Sequence, residues 1–219
     1  MRSARLALPL VPAFLLLAVF AALPAAAGDP PPGFTSLFNG KDFTGWKMFV
    51  SDPNYDVTKV WSVKEGVIHC VGTPNGYVRT TTAYADYRLR VEWRWAGEKP
   101  GNSGVLFHMS EPDKVWPRSI EAQLANQNAG DFWVIDGTEF KEHIGVTGRR
   151  VPKKNPSNEK PAGEWNLYEI VCKGNTIRVS VNGLLQNEAT ECNVTGGKIC
   201  LQSEGAPIEF RNVTLEPVG

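Results

Sequence analysis

A strict alternation of apolar and polar residues in one long segment constrains the fold most. Residues 84–95 read YADYRLRVEWRW. One face of this segment carries Tyr87, Leu89, Val91, Trp93 and Trp95, and the residues between them are charged. Successive side chains of a β-strand point to opposite sides, so a period of two predicts a long strand with one buried face.

Shorter runs of the same kind recur along the chain, with turn-forming residues between them. They are residues 57–63, 66–72, 103–109, 119–124, 165–172, 176–183, 198–203 and 208–216. The 21 glycines and 16 prolines argue against a helical bundle. About ten short strands with regular turn signals predict an all-β sandwich or jelly roll of two antiparallel sheets. One polar segment, residues 148–163, is rich in Pro and Gly and is predicted to be a surface loop, a type often functional when long.

The first 27 residues have the pattern of a secretory signal peptide. Arg2 and Arg5 precede an apolar stretch, and Ala25, Ala26 and Ala27 provide a site for signal peptidase. We expect residues 1–27 to be the signal peptide, 28–33 a short proline-rich leader and 34–218 the folded domain. The predicted location is therefore periplasmic or extracellular, without stable membrane insertion after cleavage. The alternative is a retained membrane anchor, because the apolar stretch is close to the length of a span.

Charge and cysteine content narrow the possible roles. Lysine plus arginine and aspartate plus glutamate both number 23, and this balance argues against binding to nucleic acid or through a polybasic membrane patch. The four cysteines allow disulfides in an exported protein. A Gly-Gly turn between Cys192 and Cys200 could bring that pair together, and the alternative is buried, unpaired thiols.

Polar residues on otherwise apolar strands mark the candidate site. Glu121 and Gln123 share the face opposite Ile120, Ala122 and Leu124, and His108 is expected to share a face with Leu106. Near the C-terminus, Glu209 and Arg211 alternate with apolar residues shortly after Gln202. Three tryptophans close to these segments could stack on sugar rings: Trp116, Trp133 and Trp165. Each polar residue could also be an ordinary solvated or ion-paired side chain. Common hydrolase, nucleotide and metalloprotease motifs are absent from the sequence.

The chain resembles the 3-keto-disaccharide hydrolase domain family. The resemblance rests on GFTSLFNGKDFTGWK at residues 33–47 and EGAPIEFRNVTLEPV at residues 204–218, with matching blocks between them. It implies a concanavalin-A-like jelly roll that acts on 3-keto-glycosides, which are sugars already oxidised at C3 by a partner sugar 3-dehydrogenase.

Such a substrate needs a base that removes the proton at C2 and a donor or divalent metal that holds the enolate oxygen. Glu121 or His108 could be the base, and Arg211, Gln123 or a metal could hold the enolate; the sequence does not settle which, or whether a metal takes part. Two alternatives stay open: a glycosidase that uses Glu121 and Glu209 as its two carboxylates, and a non-catalytic, lectin-like glycan-binding module.

Overall fold

The computed structural model describes residues 29–219, in which the chain forms fifteen β-strands and two short 3₁₀-helices. The strands β1 to β15 are, in order, Thr35–Ser36, Trp46–Val50, Trp61–Lys64, Val67–Cys70, Gly76–Thr80, Tyr87–Trp95, Gly104–Met109, Ser119–Gln123, Phe132–Ile135, Arg150–Val151, Asn166–Lys173, Thr176–Val181, Leu184–Ala189, Lys198–Ser203 and Ile208–Pro217. The 3₁₀-helices are Val57–Lys59 and Lys141–His143. The predicted signal peptide and Gly28 lie outside the described residues.

The strands form two sheets in which every pairing is antiparallel. The larger sheet has the order β13-β12-β11-β6-β15-β4-β3, and β1 adds to it by pairing with β15. The smaller sheet has seven strands in the order β10-β9-β8-β7-β14-β5-β2. This arrangement confirms the predicted all-β sandwich of two antiparallel sheets.

The main hydrophobic core lies between the two sheets. The inner face of β6, from Tyr87 to Trp95, is buried at every second residue, as the alternation predicted. Strand β8 contributes Ile120 and Ala122 to the same core from the smaller sheet. A second, smaller cluster contains Tyr77, Leu106, Met109, Ile135 and Cys200. Because these residues alternate with core residues along their strands, the second cluster lies on the outer face of the seven-stranded sheet.

A β-bulge gives His108 an orientation different from the predicted one. Lys198 pairs with Met109 and Cys200 pairs with Leu106, so two residues of β7 face one residue of β14. His108 has a φ of 53°, and its ring packs 5.9 Å from the ring of Tyr87 in the core. Its Nδ1 lies 3.2 Å from the carbonyl oxygen of Val194. His108 therefore does not share a face with Leu106, and the prediction of shared orientation is wrong because a bulge adds one residue to the alternation.

Of the two possibilities for Cys192 and Cys200, a disulfide or buried unpaired thiols, the structure shows the second. All four cysteines are buried as free thiols. Cys192 belongs to the core between the sheets, whereas Cys200 belongs to the cluster on the outer face of the seven-stranded sheet. The two cysteine side chains therefore lie on opposite faces of the seven-stranded sheet. Burial raises the pKa of the Cys192 thiol to about 12, as expected for an inert structural cysteine.

The polar segment 148–163 is largely irregular, with one short edge strand, β10, at Arg150–Val151. Backbone bonds fasten it to the domain, such as the one from the amide of Lys154 to the carbonyl of Gln186. Within residues 29–219, no helix is both long and apolar enough to cross a membrane.

Candidate active site

A polar cleft opens on the outer face of the seven-stranded sheet. It is lined by Asn102, Trp116, Glu121, Gln123, Trp133, Ile135, Arg149 and Glu204, and it encloses about 390 Å³ of space open to solvent. Four residues predicted for the site therefore do lie together: Glu121, Gln123, Trp116 and Trp133.

A glycine in the middle of the sheet leaves space at the floor of the cleft. Gly104 on β7 pairs with Gln123 on β8, and the next outward-facing pair is Leu106 with Glu121. A Cβ atom placed on Gly104 would lie only 2.2 Å from Oε1 of Glu121. The Glu121 carboxyl group thus occupies the space above a glycine, a position that no larger residue at 104 would permit.

Glu121 is a buried carboxyl group without a full set of partners. The residue is 4% exposed, and its Oε1 makes no hydrogen bond within residues 29–219. Burial, and to a smaller extent the nearby charge of Glu204, raises the pKa of Glu121 to about 8, while Arg149 acts in the opposite direction. A charged group without a partner is costly in such surroundings, so the proton stays on Glu121 at neutral pH.

The amide side chains next to Glu121 are arranged to offer donors to a ligand. Oε1 of Gln123 accepts bonds from the backbone amides of Leu124 and Ala125, each 2.9 Å long. Its Nε2 group makes no hydrogen bond within the described residues, and Gln123 lines the cleft. Gln202 is 2% exposed and continues the row from Gly104 onto β14, and neither polar atom of its side chain has a partner among residues 29–219. Buried polar atoms without partners are uncommon in folded proteins and mark a place where a ligand can bind.

Arg149 and Glu204 complete the charged lining of the cleft. The guanidinium carbon of Arg149 lies 5.5 Å from the ring centre of Trp133, a cation–π contact that holds the charge over the indole. Glu204 follows the end of β14, and its backbone forms an isolated bridge to Asn102. Burial raises the pKa of Glu204, and Arg149 opposes this effect. The cleft therefore contains two carboxyl groups and one permanent cation.

Trp116 is carried by the loop between β7 and β8, and a buried arginine anchors that loop. Arg79 is 3% exposed; its Nε lies 2.6 Å from Asp113, and its Nη2 lies 2.7 Å from Glu111. Asp113 also binds Lys47. The pKa of Asp113 is well below its usual range because hydrogen bonds from Arg79 and Lys47 outweigh burial. This network fixes one wall of the cleft.

Three other residues predicted for the site lie on a different surface. On β15, Glu209 and Arg211 alternate with the core residues Ile208 and Phe210, so they face outward from the eight-stranded sheet. The ring of Trp165 lies between two guanidinium groups, 4.1 Å from Arg211 and 4.5 Å from that of a β6 arginine.

Ion pairs already occupy the charges of this second surface. Glu209 lies 2.5 Å from Arg94 and 3.0 Å from His69, and Arg211 lies 2.7 Å from Glu92. The prediction that Glu209, Arg211 and Trp165 join Glu121 at one site is therefore wrong in its geometry. Alternation along a strand tells which side of a sheet a residue faces, but not which of the two sheets holds the strand. His108, in the core, is also absent from the lining of the cleft.

Sequence reasoning missed Asn102, Arg149 and Glu204. Glu204 follows Gln202 by two residues, so extending the alternation past the end of the strand would have placed it on the same face. Arg149 lies at the start of the polar segment 148–163 and carries no periodic signal. Within the described part of the chain, no group of three or more His, Cys, Asp or Glu side chains is placed to hold a metal ion.

Comparison with known proteins agrees with this architecture. A 3-keto-disaccharide hydrolase from Bacteroides thetaiotaomicron is 25% identical over 165 residues, which is 66% of this chain and 54% of that protein. The chain thus spans about half the length of this curated relative. A solved structure of a candidate glycosyl hydrolase from Parabacteroides distasonis is 27% identical, with a TM-score of 0.64 over 85% of this chain and 94% of that chain.

A Bacillus licheniformis β-glucanase matches with a TM-score of 0.58 at 15% identity, over 89% of this chain and 99% of that chain, and it supports the predicted concanavalin-A-like jelly roll. The family model described as the 3-keto-alpha-glucoside-1,2-lyase-like domain matches residues 33–216. This match extends over most of the chain, and the chain therefore belongs to that family.

Proposed function

We propose that this protein cleaves 3-keto-glycosides and that Glu121 is the base that removes the proton at C2. The observation that carries the proposal is the Glu121 carboxyl group, buried at the floor of the cleft with an unpartnered oxygen and a pKa of about 8. Family membership and the carbohydrate-active relatives support the substrate class. Export, and supply of the substrate by a sugar 3-dehydrogenase, are parts of the same proposal.

The chemistry follows from the ketone. The C3 carbonyl acidifies the proton on C2, and the Glu121 carboxylate takes that proton while the electron pair forms an enolate. The enolate then expels the aglycone from C1, which leaves an enone with a double bond between C1 and C2. Water adds to C1, and a proton returns to C2. The sum of these steps is hydrolysis, with one water consumed and no oxidant needed.

The residues around Glu121 can stabilise the negative charge that develops on the enolate oxygen. Arg149 and the free Nε2 of Gln123 line the same cleft and can donate hydrogen bonds to the enolate oxygen. An arginine keeps its proton throughout, so Arg149 stabilises the negative charge without exchanging protons. Trp116 and Trp133 provide aromatic faces against which a sugar ring can stack.

A base with a pKa of about 8 suits the removal of a weakly acidic carbon-bound proton. Desolvation makes the carboxylate a stronger base than an exposed one, and general bases work best with a pKa near the operating pH. Only about a tenth of Glu121 is ionised at pH 7 with that pKa. For a leaving group that needs no proton, such as 4-nitrophenolate, we therefore expect kcat/KM to rise from pH 6 to pH 9, with an apparent pKa near 8.

The second candidate function is an ordinary glycosidase, and the observation in its favour is that Glu121 and Glu204 line one cleft. Such enzymes place two carboxyl groups on either side of the glycosidic bond. Glu204 takes the place that Glu209 had in the sequence-based alternative, because Glu209 lies on the other sheet.

The test compares one purified protein on two matched substrates, a 3-keto-glucoside and the same glucoside without oxidation. We expect aglycone release from the first alone, and we expect Glu121→Gln to reduce it by roughly 10²-fold or more. Glu169→Gln, the same chemical change on the outer face of the other sheet, is the matched control and should retain wild-type turnover. Equal turnover of both substrates would indicate the two-carboxylate glycosidase. Binding of glycan without turnover of either would indicate a lectin-like module.

A further inference from the structure

Glu204 differs from Glu121 in depth, although both line the same cleft. Glu121 is almost fully buried at the floor, whereas Glu204 is partly exposed at the end of β14. Within residues 29–219, the side chain of Glu204 makes no hydrogen bond or ion pair. Glu121 thus lies deeper in the cleft than Glu204, which is nearer the opening.

We infer that Glu204 is the general acid that protonates the departing glycosidic oxygen. This inference rests on the proposed function, in which Glu121 removes the C2 proton. An aglycone attached at C1 has to extend toward solvent if the ring occupies the floor of the cleft, and Glu204 is the carboxyl group on that side. Arg149 cannot fill this role because a guanidinium does not release its proton. The remaining polar groups of the lining are amides and indoles, which are not proton donors in this sense.

The cycle starts from the protonation form in which Glu121 is ionised and Glu204 holds a proton, and each proton that moves is returned. Glu121 takes the proton from C2, and the electron pair forms the enolate. When the C1–O bond breaks, its electron pair goes to the glycosidic oxygen, which receives the proton of Glu204 and leaves as an alcohol. The Glu204 carboxylate then accepts a proton from the water that adds to C1. The proton held by Glu121 returns to C2, so both carboxyl groups end in their starting states.

A general acid matters in proportion to how poor the leaving group is. An alkoxide such as methoxide is a strong base and leaves slowly without protonation, whereas 4-nitrophenolate is stable as an anion and leaves without help. Removing the acid should therefore slow the first kind of substrate and spare the second. Removing the C2 base should slow both kinds equally, because both reactions begin with the same proton abstraction.

The experiment measures kcat/KM of Glu204→Gln for two 3-keto-glucosides that differ only in the aglycone, methanol or 4-nitrophenol. We expect turnover of the methyl substrate to fall by roughly 10²-fold or more, as is typical for loss of an acid catalyst, and turnover of the nitrophenyl substrate to stay within a few-fold of wild type. The ratio of the two values is the readout, since it does not depend on how much of the variant is folded.

Two control variants fix the interpretation. Glu121→Gln should lose both activities and keep the wild-type ratio, and Glu169→Gln should change neither. An unchanged ratio for Glu204→Gln, whether both activities fall or both persist, would overturn the role of Glu204. If the wild-type protein releases neither aglycone, the proposed function itself fails, and this outcome is distinct from a failure of the Glu204 assignment.

Discussion

The titration of a single carboxyl group links the stability of this protein to its chemistry. Glu121 has a pKa of about 8 in the folded protein, against 4.5 for an unperturbed glutamate. Between these two pH values, the folded protein keeps a proton that the unfolded chain releases. The unfolded state therefore binds fewer protons, and the free energy of unfolding falls as pH rises through this window. The same burial that makes Glu121 a strong base makes the ionised site unfavourable.

We predict that Glu121→Gln removes this loss of stability. The difference in unfolding free energy between the variant and wild type should be small at pH 4 and should grow by about 1.4 kcal/mol per pH unit until it levels near pH 8. Urea denaturation of both proteins across this range checks the prediction. Glu169→Gln is the control for a generic loss of charge. Parallel curves for Glu121→Gln and wild type would show that the pKa of Glu121 is not raised in the folded state.

At the scale of secondary-structure elements, the cleft depends on a residue without a side chain in β7, beside a carboxyl group on β8. Gly104 leaves the space that the Glu121 side chain fills, and it does so in the interior of a strand, where glycine is otherwise unfavourable. The backbone of Gly104 has no unusual conformation that requires glycine, so the reason for this residue is the close approach of the carboxyl group.

Gly104→Ala tests this close approach. The added methyl group would lie about 2.2 Å from Oε1 of Glu121, so the carboxyl group has to move. Misplacement of a catalytic group by about 1 Å can cost roughly 10²-fold, and we expect a loss of kcat of that order with little change in fold. Gly97→Ala, at a glycine with open space around it, should be silent. Wild-type turnover in Gly104→Ala would show that the position of Glu121 does not matter for the reaction.

The sequence predicted strands and their faces well, and it predicted their partners poorly. The alternation around Glu121 and Gln123 correctly placed both on one outward face. The predicted orientation of His108 was wrong, because a bulge inserts one residue and the local sequence has no pattern that indicates a bulge. The alternation also failed for Glu209 and Arg211, because the pairing of β15 with β6 is a contact between segments far apart in sequence. The place of Arg149 in the cleft could not be predicted, since an irregular segment has no alternation that indicates where its side chains point.

At the scale of the whole molecule, the sandwich has two polar outer faces with different characters. On the seven-stranded sheet, polar atoms of Glu121 and Gln202 lack partners among the residues that the structure describes. On the eight-stranded sheet, Glu209, Arg211 and Trp165 are engaged in ion pairs and cation–π contacts. Satisfied groups stabilise a surface, and unsatisfied buried groups mark a place where something binds. Arg88 Nε and Asn212 Oδ1 on the eight-stranded sheet also lack partners, but both side chains bind through another atom. Glu121 and Gln202 make no side-chain hydrogen bond within residues 29–219, and this contrast supports the proposed site on the first face.

Two tryptophan substitutions compare the faces directly. Trp133→Ala should lower kcat/KM for a 3-keto-glucoside roughly tenfold or more, because it removes both an aromatic face and the support of Arg149. Trp165→Ala removes a tryptophan of the same size from the other sheet, and we expect turnover close to wild type with some loss of thermal stability. A larger effect of Trp165→Ala than of Trp133→Ala on turnover would place substrate on the eight-stranded sheet.

The way the cleft is built has a consequence for how such proteins diversify. The two carboxyl groups are held by the sheet or at its margin, whereas Trp116 and Arg149 come from connecting segments that vary more readily in length and sequence. On the proposed function, the C2 base thus lies on a strand, whereas one aromatic face for the sugar lies on a loop. An engineer who wishes to redirect the protein to a new glycoside should vary the residues beside Trp116 and leave Arg149, the Arg79 network and the strands untouched.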